Sequence, residues 1–271
     1  MKVKLLNPET VRDLFKNHGQ FACVCYGTDE SHAERVGRSC MESGHMSGSR
    51  CEYIKFRISE IDRGTAEQIM RHELGVRVSP DEIVKNMASF RYIDKEGFDW
   101  STPRVIEAND KARRQYDHLM EWINTGRNMI VRSLEESGVD HAQAIEAANM
   151  VLPRATLTEL CIGFTPEALI HFCHKRMCSR AQEFIRAVAC AMRAEVNKVC
   201  PELADRMVPQ CEYLLWCPEG KKSCGMMPTR EKMMNTRNMQ RDEIGGKPYT
   251  RTVKDGKIIL TRMDKEIPEK E

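Results

Sequence analysis

Residues 53–72 read YIKFRISEIDRGTAEQIMRH. Ile54, Phe56 and Ile58 alternate with Lys55 and Arg57, the period-two pattern of a strand with one buried face. At Asp62 the pattern stops. Aspartate caps helices through its side-chain oxygen, and the residues after it continue as a helix that ends near His72. A strand that feeds directly into a helix decides the fold class here, and the flanking segments extend it.

Upstream, residues 1–27 predict a helix followed by the short apolar stretch FACVCYG. Ser31-His32-Ala33-Glu34 fits a capping box, and the helix it starts runs to Ser43 with Gly44 as its C-cap. Downstream, residues 74–89 fit more than one reading, although Ser79-Pro80-Asp81-Glu82 looks like a helix start with proline at its first position. Residues 104–137 and 140–149 predict helices. From Pro166 to Val199 the chain reads as strongly helical. Ile185, Val188, Met192, Val196 and Val199 carry the apolar stripe and Pro201 stops it. The order is a short helical start, strands, then mostly helices, so the class is α+β. No internal repeat or clear linker stands out. Residues 1–225 are expected to form one catalytic domain and 226–271 a C-terminal extension. Its polar pieces 228–250 and 262–271 are expected to be partly mobile.

Composition narrows the function. The chain has 271 residues and a net charge of only +2, with 30% charged residues. That balance argues against a general nucleic-acid binder, so any basic site is local. No apolar run reaches membrane-spanning length, and the N-terminal stretch lacks the apolar core of a signal peptide. A cytoplasmic protein is expected. Twelve cysteines in a chain of this size are read as free thiols rather than a disulfide framework. Cys211, Cys217 and Cys224 are spaced by six and seven residues, unlike the paired spacing of common zinc sites, and no metal is expected.

The residues that carry chemistry cluster around Arg71-His72 and Ser89-Phe90-Arg91-Tyr92. Arginine suits phosphate because its planar fork makes bidentate, charge-assisted bonds. If 87–92 is extended, Ser89 and Arg91 point to one side. Taken singly, each of these is an ordinary solvated surface feature. In order along the chain they are more specific. FRISEIDRGTAEQIMRH (56–72), SFRY (89–92), VLP (151–153) and ALIHFCHKRMCSRAQEFIR (168–186) together resemble the flavin-dependent thymidylate synthases over roughly residues 22–224.

The resemblance implies a β-sheet flanked by long helices and a homotetramer with shared active sites. It implies FAD, NADPH and 5,10-methylenetetrahydrofolate as cofactors, and dUMP as substrate. By position, Arg71 contacts nucleotide or flavin phosphate and His72 lies at the flavin. Gln68, Ser89 and Arg91 hold dUMP, and Arg176 lies near the uracil ring. His45, Ser47, Thr165 and His171 fall at flavin-contacting positions. Arg176 and Ser89 are the catalytic candidates. Charge builds on the pyrimidine as C5 becomes nucleophilic, and a fixed guanidinium stabilises it. The flavin carries the hard chemistry, so no cysteine nucleophile is implied.

The chain also departs from the family pattern. Its signature reads Arg71-His72-Glu73, with Glu73 where a second arginine is usual and with eight extra residues before Ser89. Arg77 lies in that longer segment and is a candidate to restore the charge. Asn149 stands where an arginine for the nucleotide phosphate often precedes Leu152-Pro153, and Arg154 is the candidate to replace it. Thr165 and His171 each replace an asparagine. Three readings follow. The first is a thymidylate synthase, a methyltransferase and flavoprotein of nucleotide biosynthesis. The second is a related flavin-dependent modification of a pyrimidine nucleotide at C5, such as hydroxymethylation of dUMP. The third is a non-catalytic nucleotide-binding homologue.

Overall fold

The computed structural model describes residues 1–72, 83–88, 97–243, 249–254 and 257–262. The chain divides into two compact units, Met1–Pro209 and Gln210–Glu271.

The first unit is built on a four-stranded antiparallel sheet of order β1-β2-β4-β3. Its strands are β1 (Lys2–Leu5), β2 (Ile54–Asp62), β3 (Ile83–Met87) and β4 (Leu157–Phe164). Between β1 and β2 lie α1 (Pro8–Arg12), α2 (Leu14–Tyr26) and α3 (Ala33–Glu42), then a 3-10 turn, Ser47–Cys51. Helix α4 (Arg63–Met70) follows β2. Helices α5 (Arg104–Glu107), α6 (Asp110–Glu136) and α7 (His141–Ala148) separate β3 from β4. Helices α8 (Pro166–Arg176), α9 (Glu183–Asn197) and α10 (Pro201–Ala204) complete the unit.

The alternation in β2 does what the sequence requires of it. Phe56 pairs with Ile162, Ile58 with Leu160 and Ile54 with Phe164. All six are at most 2% exposed. They pack with Phe172, Ile185, Val188 and Met192 in one core, where each large apolar side chain contributes about 1.5–3 kcal/mol on burial. Helices α4, α8 and α9 contact the strands of this sheet. On the opposite face Arg57 reaches across to Glu159. The register slips between Ile58 and Ile61, and Glu60 there has φ of 56°. This is a β-bulge: the extra residue returns Ile61 to the buried face, at 2% exposure, and lets the strand run on to Asp62.

Several segments differ from the sequence reading. Residues 1–27 are not one helix; they hold β1, α1 and α2, and the FACVCYG stretch lies mostly inside α2. The turn before α3 is capped by Asp29, which accepts from the Ser31 amide, rather than by a Ser31 capping box. The 104–137 helix breaks at Ala108-Asn109 because Asn109 caps the longer segment, accepting from the Ala112 amide at 3.0 Å. The 166–199 helix breaks at 177–182, and Gln182 is the N-cap residue of α9. Strand β4 has no counterpart in the sequence reading. The expected helix start at 79–82 lies outside the described residues.

The second unit contains α11 (Gln210–Leu214), α12 (Arg230–Glu243) and an antiparallel hairpin of β5 (Tyr249–Lys254) and β6 (Lys257–Arg262). The backbone of Cys217 pairs with that of Thr229 in a short parallel bridge. The Arg230 guanidinium lies 5.8 Å from the centre of the Trp216 ring.

Candidate active site

Two strand-to-helix turns position the site. At the end of β2 the Asp62 carboxylate accepts from the Thr65 amide at 2.8 Å and starts α4. At the end of β4 the Thr165 hydroxyl accepts from the Ala168 amide at 3.3 Å, with Pro166 as the first helical residue of α8. Strands β2 and β4 are antiparallel neighbours, with Ile54 opposite Phe164 and Asp62 opposite Leu157. Their helices therefore start at opposite ends of the sheet and bring residues from distant parts of the sequence together.

They meet at His72 and His171, whose ring centroids are 5.4 Å apart. His72 also sits edge-on to Phe172 at 5.1 Å, and Phe172 packs on Phe164 at 5.3 Å. His72 is 5% exposed. Burial pushes the His171 pKa down, the Lys175 charge adds to that, and Glu167 partly offsets it. Burial also lowers His174, against a backbone hydrogen bond at Arg206. At neutral pH both imidazoles are therefore uncharged, each with one donor and one acceptor nitrogen. The His171 Nδ1 and the Arg176 Nε are buried and make no hydrogen bond among the described residues.

Other residues singled out in the sequence surround this pair. Gln68, on α4, donates its amide to Gln182, in the loop between α8 and α9. Arg71 is exposed at the end of α4. Arg154 is not held in a buried clamp: its side chain is 71% exposed and lies 3.4 Å from Glu67, which also accepts from Arg63 at 3.4 Å. Thr165 is fully buried, and its hydroxyl caps α8. Ser47 is exposed on the 3-10 turn, which contacts α8 and whose Arg50 pairs with Glu167 at 3.1 Å. His45 is exposed, 3.5 Å from the Tyr26 hydroxyl. It lines a separate cavity of about 390 Å³ with Arg35, Ser39 and Ser43. Glu73, Arg77, Ser89 and Arg91 lie outside the described residues. Strand β3 leads to Ser89, since the Ala88 amide donates to the Glu159 carbonyl at 2.9 Å.

Sequence reasoning missed two features. One is His174, one turn from His171. The other is Arg127, a charged residue on the buried stripe of α6, whose Nε donates to Asn149 Oδ1 at 2.9 Å. The stripe Met120, Arg127, Val131 could have flagged it, because a cation at a core-facing position is unusual.

Comparison with known proteins identifies the family. The family model described as "Thymidylate synthase complementing protein" matches residues 11–202, which include α4 and α8. A flavin-dependent thymidylate synthase of Nitratidesulfovibrio vulgaris is 34% identical over 196 residues, covering 72% of this chain and 77% of the relative. One from Clostridium tetani is 28% identical over 255 residues, covering 86% and 96%. One from Geobacter sulfurreducens is 31% identical over 185 residues, covering 68% and 73%. The convergence of α4 and α8 lies within the matched segment, and the chain belongs to the thymidylate synthase complementing protein family, that of the flavin-dependent thymidylate synthases.

Proposed function

We infer that the protein is a flavin-dependent thymidylate synthase that converts dUMP to dTMP. In this reading 5,10-methylenetetrahydrofolate supplies the carbon and NADPH the reducing equivalents. The observation that carries it is the meeting of His72 and His171 inside the matched segment.

The residues present fit FAD. Neutral imidazoles and the buried Arg176 Nε offer the mixed donors and acceptors that a flat heterocycle edged with carbonyl oxygens and ring nitrogens requires. His72 and His171 would hold it, with His45, Ser47, Thr165 and Arg71 as further contacts and Glu73 beside them in sequence. Reduced flavin, when bound, supplies the hydride and mediates the one-carbon transfer. The chain's own part is orientation and polarisation. Gln68, Ser89, Arg91 and Arg154 bind dUMP. Arg176 stabilises the negative charge that develops on the pyrimidine carbonyls, and Ser89 holds the nucleotide in place for the step.

The assembly is read as a homotetramer with shared sites. Leu119, Trp122, Met129 and Ile130 of α6 are 40–72% exposed, an apolar face suited to a second copy of the chain. Residues 1–225 form the catalytic domain in this reading and 226–271 an extension. The protein works in the cytoplasm on small molecules, without nucleic acid or membrane. No helix among the described residues is long and apolar enough to cross a membrane.

The test is mass analysis of the product from dUMP, methylenetetrahydrofolate and NADPH, alongside the flavin absorbance of the purified protein. A methyl increment supports the reading. A hydroxymethyl increment gives the variant activity, and a colourless protein that binds dUMP without turnover overturns both.

A further inference from the structure

Gln182 is the N-cap residue of α9, with its backbone at φ −57° and ψ 144°, yet its side chain makes no cap hydrogen bond. Helix caps favour the short side chains of Ser, Thr, Asp and Asn, and the longer glutamine reaches away from its own helix. It accepts instead from the side-chain amide of Gln68 on α4, a residue 114 positions away.

The acceptor is held by a fixed backbone. The Gln182 carbonyl accepts from the Arg186 amide at 3.1 Å, and the Ala181 amide donates to the Cys178 carbonyl at 2.9 Å. The Arg186 guanidinium donates to the Ser179 carbonyl at 3.1 Å. Glu183, the next residue, accepts from the Arg104 amide at 2.9 Å. The loop between α8 and α9 is therefore tied to α9 on one side and to the start of α5 on the other.

Gln68 depends on that anchor. It is half-buried, and among the described residues Gln182 is the one hydrogen-bond partner of its side chain. A glutamine amide carries one acceptor oxygen and two N–H donors. The two ends are nearly the same size, so an amide with no partner can present either of them. Once one N–H is committed to Gln182, the carbonyl oxygen and the second N–H take a single direction. Arg71 and His72 follow Gln68 within about one helical turn.

We propose that Gln182 is a positioning residue for the nucleotide: it selects the orientation in which the Gln68 amide meets dUMP and acts only through Gln68. That dUMP is the ligand of Gln68 rests on the thymidylate synthase reading; the anchoring of Gln68 by Gln182 rests on the geometry.

The test is a double-mutant cycle on the flavin-loaded protein, with dUMP affinity by calorimetric titration, steady-state kinetics, and thermal melts on every variant. Gln68→Met is expected to weaken dUMP about tenfold. Gln182→Met is expected to weaken it about three- to tenfold, with KM raised and kcat within about twofold. The double variant should bind no worse than Gln68→Met alone, because two residues that act as one unit are not additive. Gln182→Ser can cap α9 but is too short to reach Gln68. It should melt no lower than the wild type and still lose dUMP affinity, and it carries the test if Gln182→Met does not fold. Wild-type dUMP affinity in a folded Gln182 variant overturns the proposal, as do losses that multiply in the double variant. An unchanged Gln68→Met overturns it as well, and product formation by the wild type then keeps the thymidylate reading standing. Coupled losses of dUMP affinity in a protein that forms no product support the anchoring and remove the thymidylate reading.

Discussion

The imidazole of His72 stands 5.4 Å from that of His171, tilted by 38°, although one lies just past the helix after β2 and the other in the helix after β4. The contact joins the two strand-helix units of the sheet at a single point.

Burial holds His171, His174 and the 1%-exposed His18 below the ordinary histidine value of 6.5. In the unfolded chain these groups take up a proton near that value. Below it the unfolded state therefore binds more protons than the folded one. The stability they contribute is fully present above 6.5 and is lost as pH falls through their lower folded values. The thermal midpoint is expected to drop between about pH 7 and about pH 5, and His171→Asn should flatten part of that drop. An unchanged pH dependence in the variant removes His171 from this account.

Asp62→Ala removes the cap of α4. The expected cost is about 1 kcal/mol of stability, measured by urea titration. Because α4 carries Gln68 and leads directly into Arg71 and His72, the variant should also retain less flavin through purification than the wild type. Full flavin occupancy at the reduced stability would show that the α4 terminus is not needed to hold the cofactor.

Arg176→Ala is expected to lower single-turnover product formation by about 10²–10³-fold, the usual loss when a fixed charge-stabilising donor is removed. The melting curve should change little, since the side chain is only half-buried. A comparable loss of folded protein would make the residue structural.

Cys173 is fully buried and its thiol is pushed well above the ordinary range, chiefly by desolvation. A thiol held protonated is a poor nucleophile. Cys173→Ala, and likewise the alanine variants of Cys161, Cys178 and Cys190, should still convert dUMP, with Cys173→Ala the least stable of the four. A variant that melts normally and binds dUMP and FAD yet forms no product would point to covalent thiol catalysis.

The parts of the fold that could be read from sequence were those fixed by local chemistry. Ile54, Phe56 and Ile58 announced β2 through their alternation, and Asp62 announced α4 through its cap. Ile185, Val188, Met192 and Val196 marked the buried stripe of α9. Strand β4 was obscured because Cys161 and Gly163 interrupt the β-branched and aromatic pattern of a strand, although Leu160, Ile162 and Phe164 alternate inward. The breaks at Asn109 and Gln182 were hidden inside longer helical periodicities. Gln68, His72, His171 and Arg176 were recognisable through motif resemblance, but the contact between His72 and His171 depends on tertiary pairing. Arg127 escaped because a cation on a long polar helix reads as solvated until the neighbouring Asn149 is seen to receive it.

If the flavin binds across His72 and His171 as proposed, the antiparallel pairing of β2 with β4 also makes cofactor capture a check on strand alignment. Sliding β2 by one residue against β4 turns its inward side chains outward and shifts the origin of α4 relative to that of α8, separating the two imidazoles. A molecule that must touch both rings binds only chains whose strands are correctly aligned. Selective binding of that kind stabilises the aligned form by about 2.7 kcal/mol when the free ligand is a hundredfold above its dissociation constant. Flavin supply during synthesis would then edit misaligned chains out of the population, and protein made in flavin-starved cells should contain more of them.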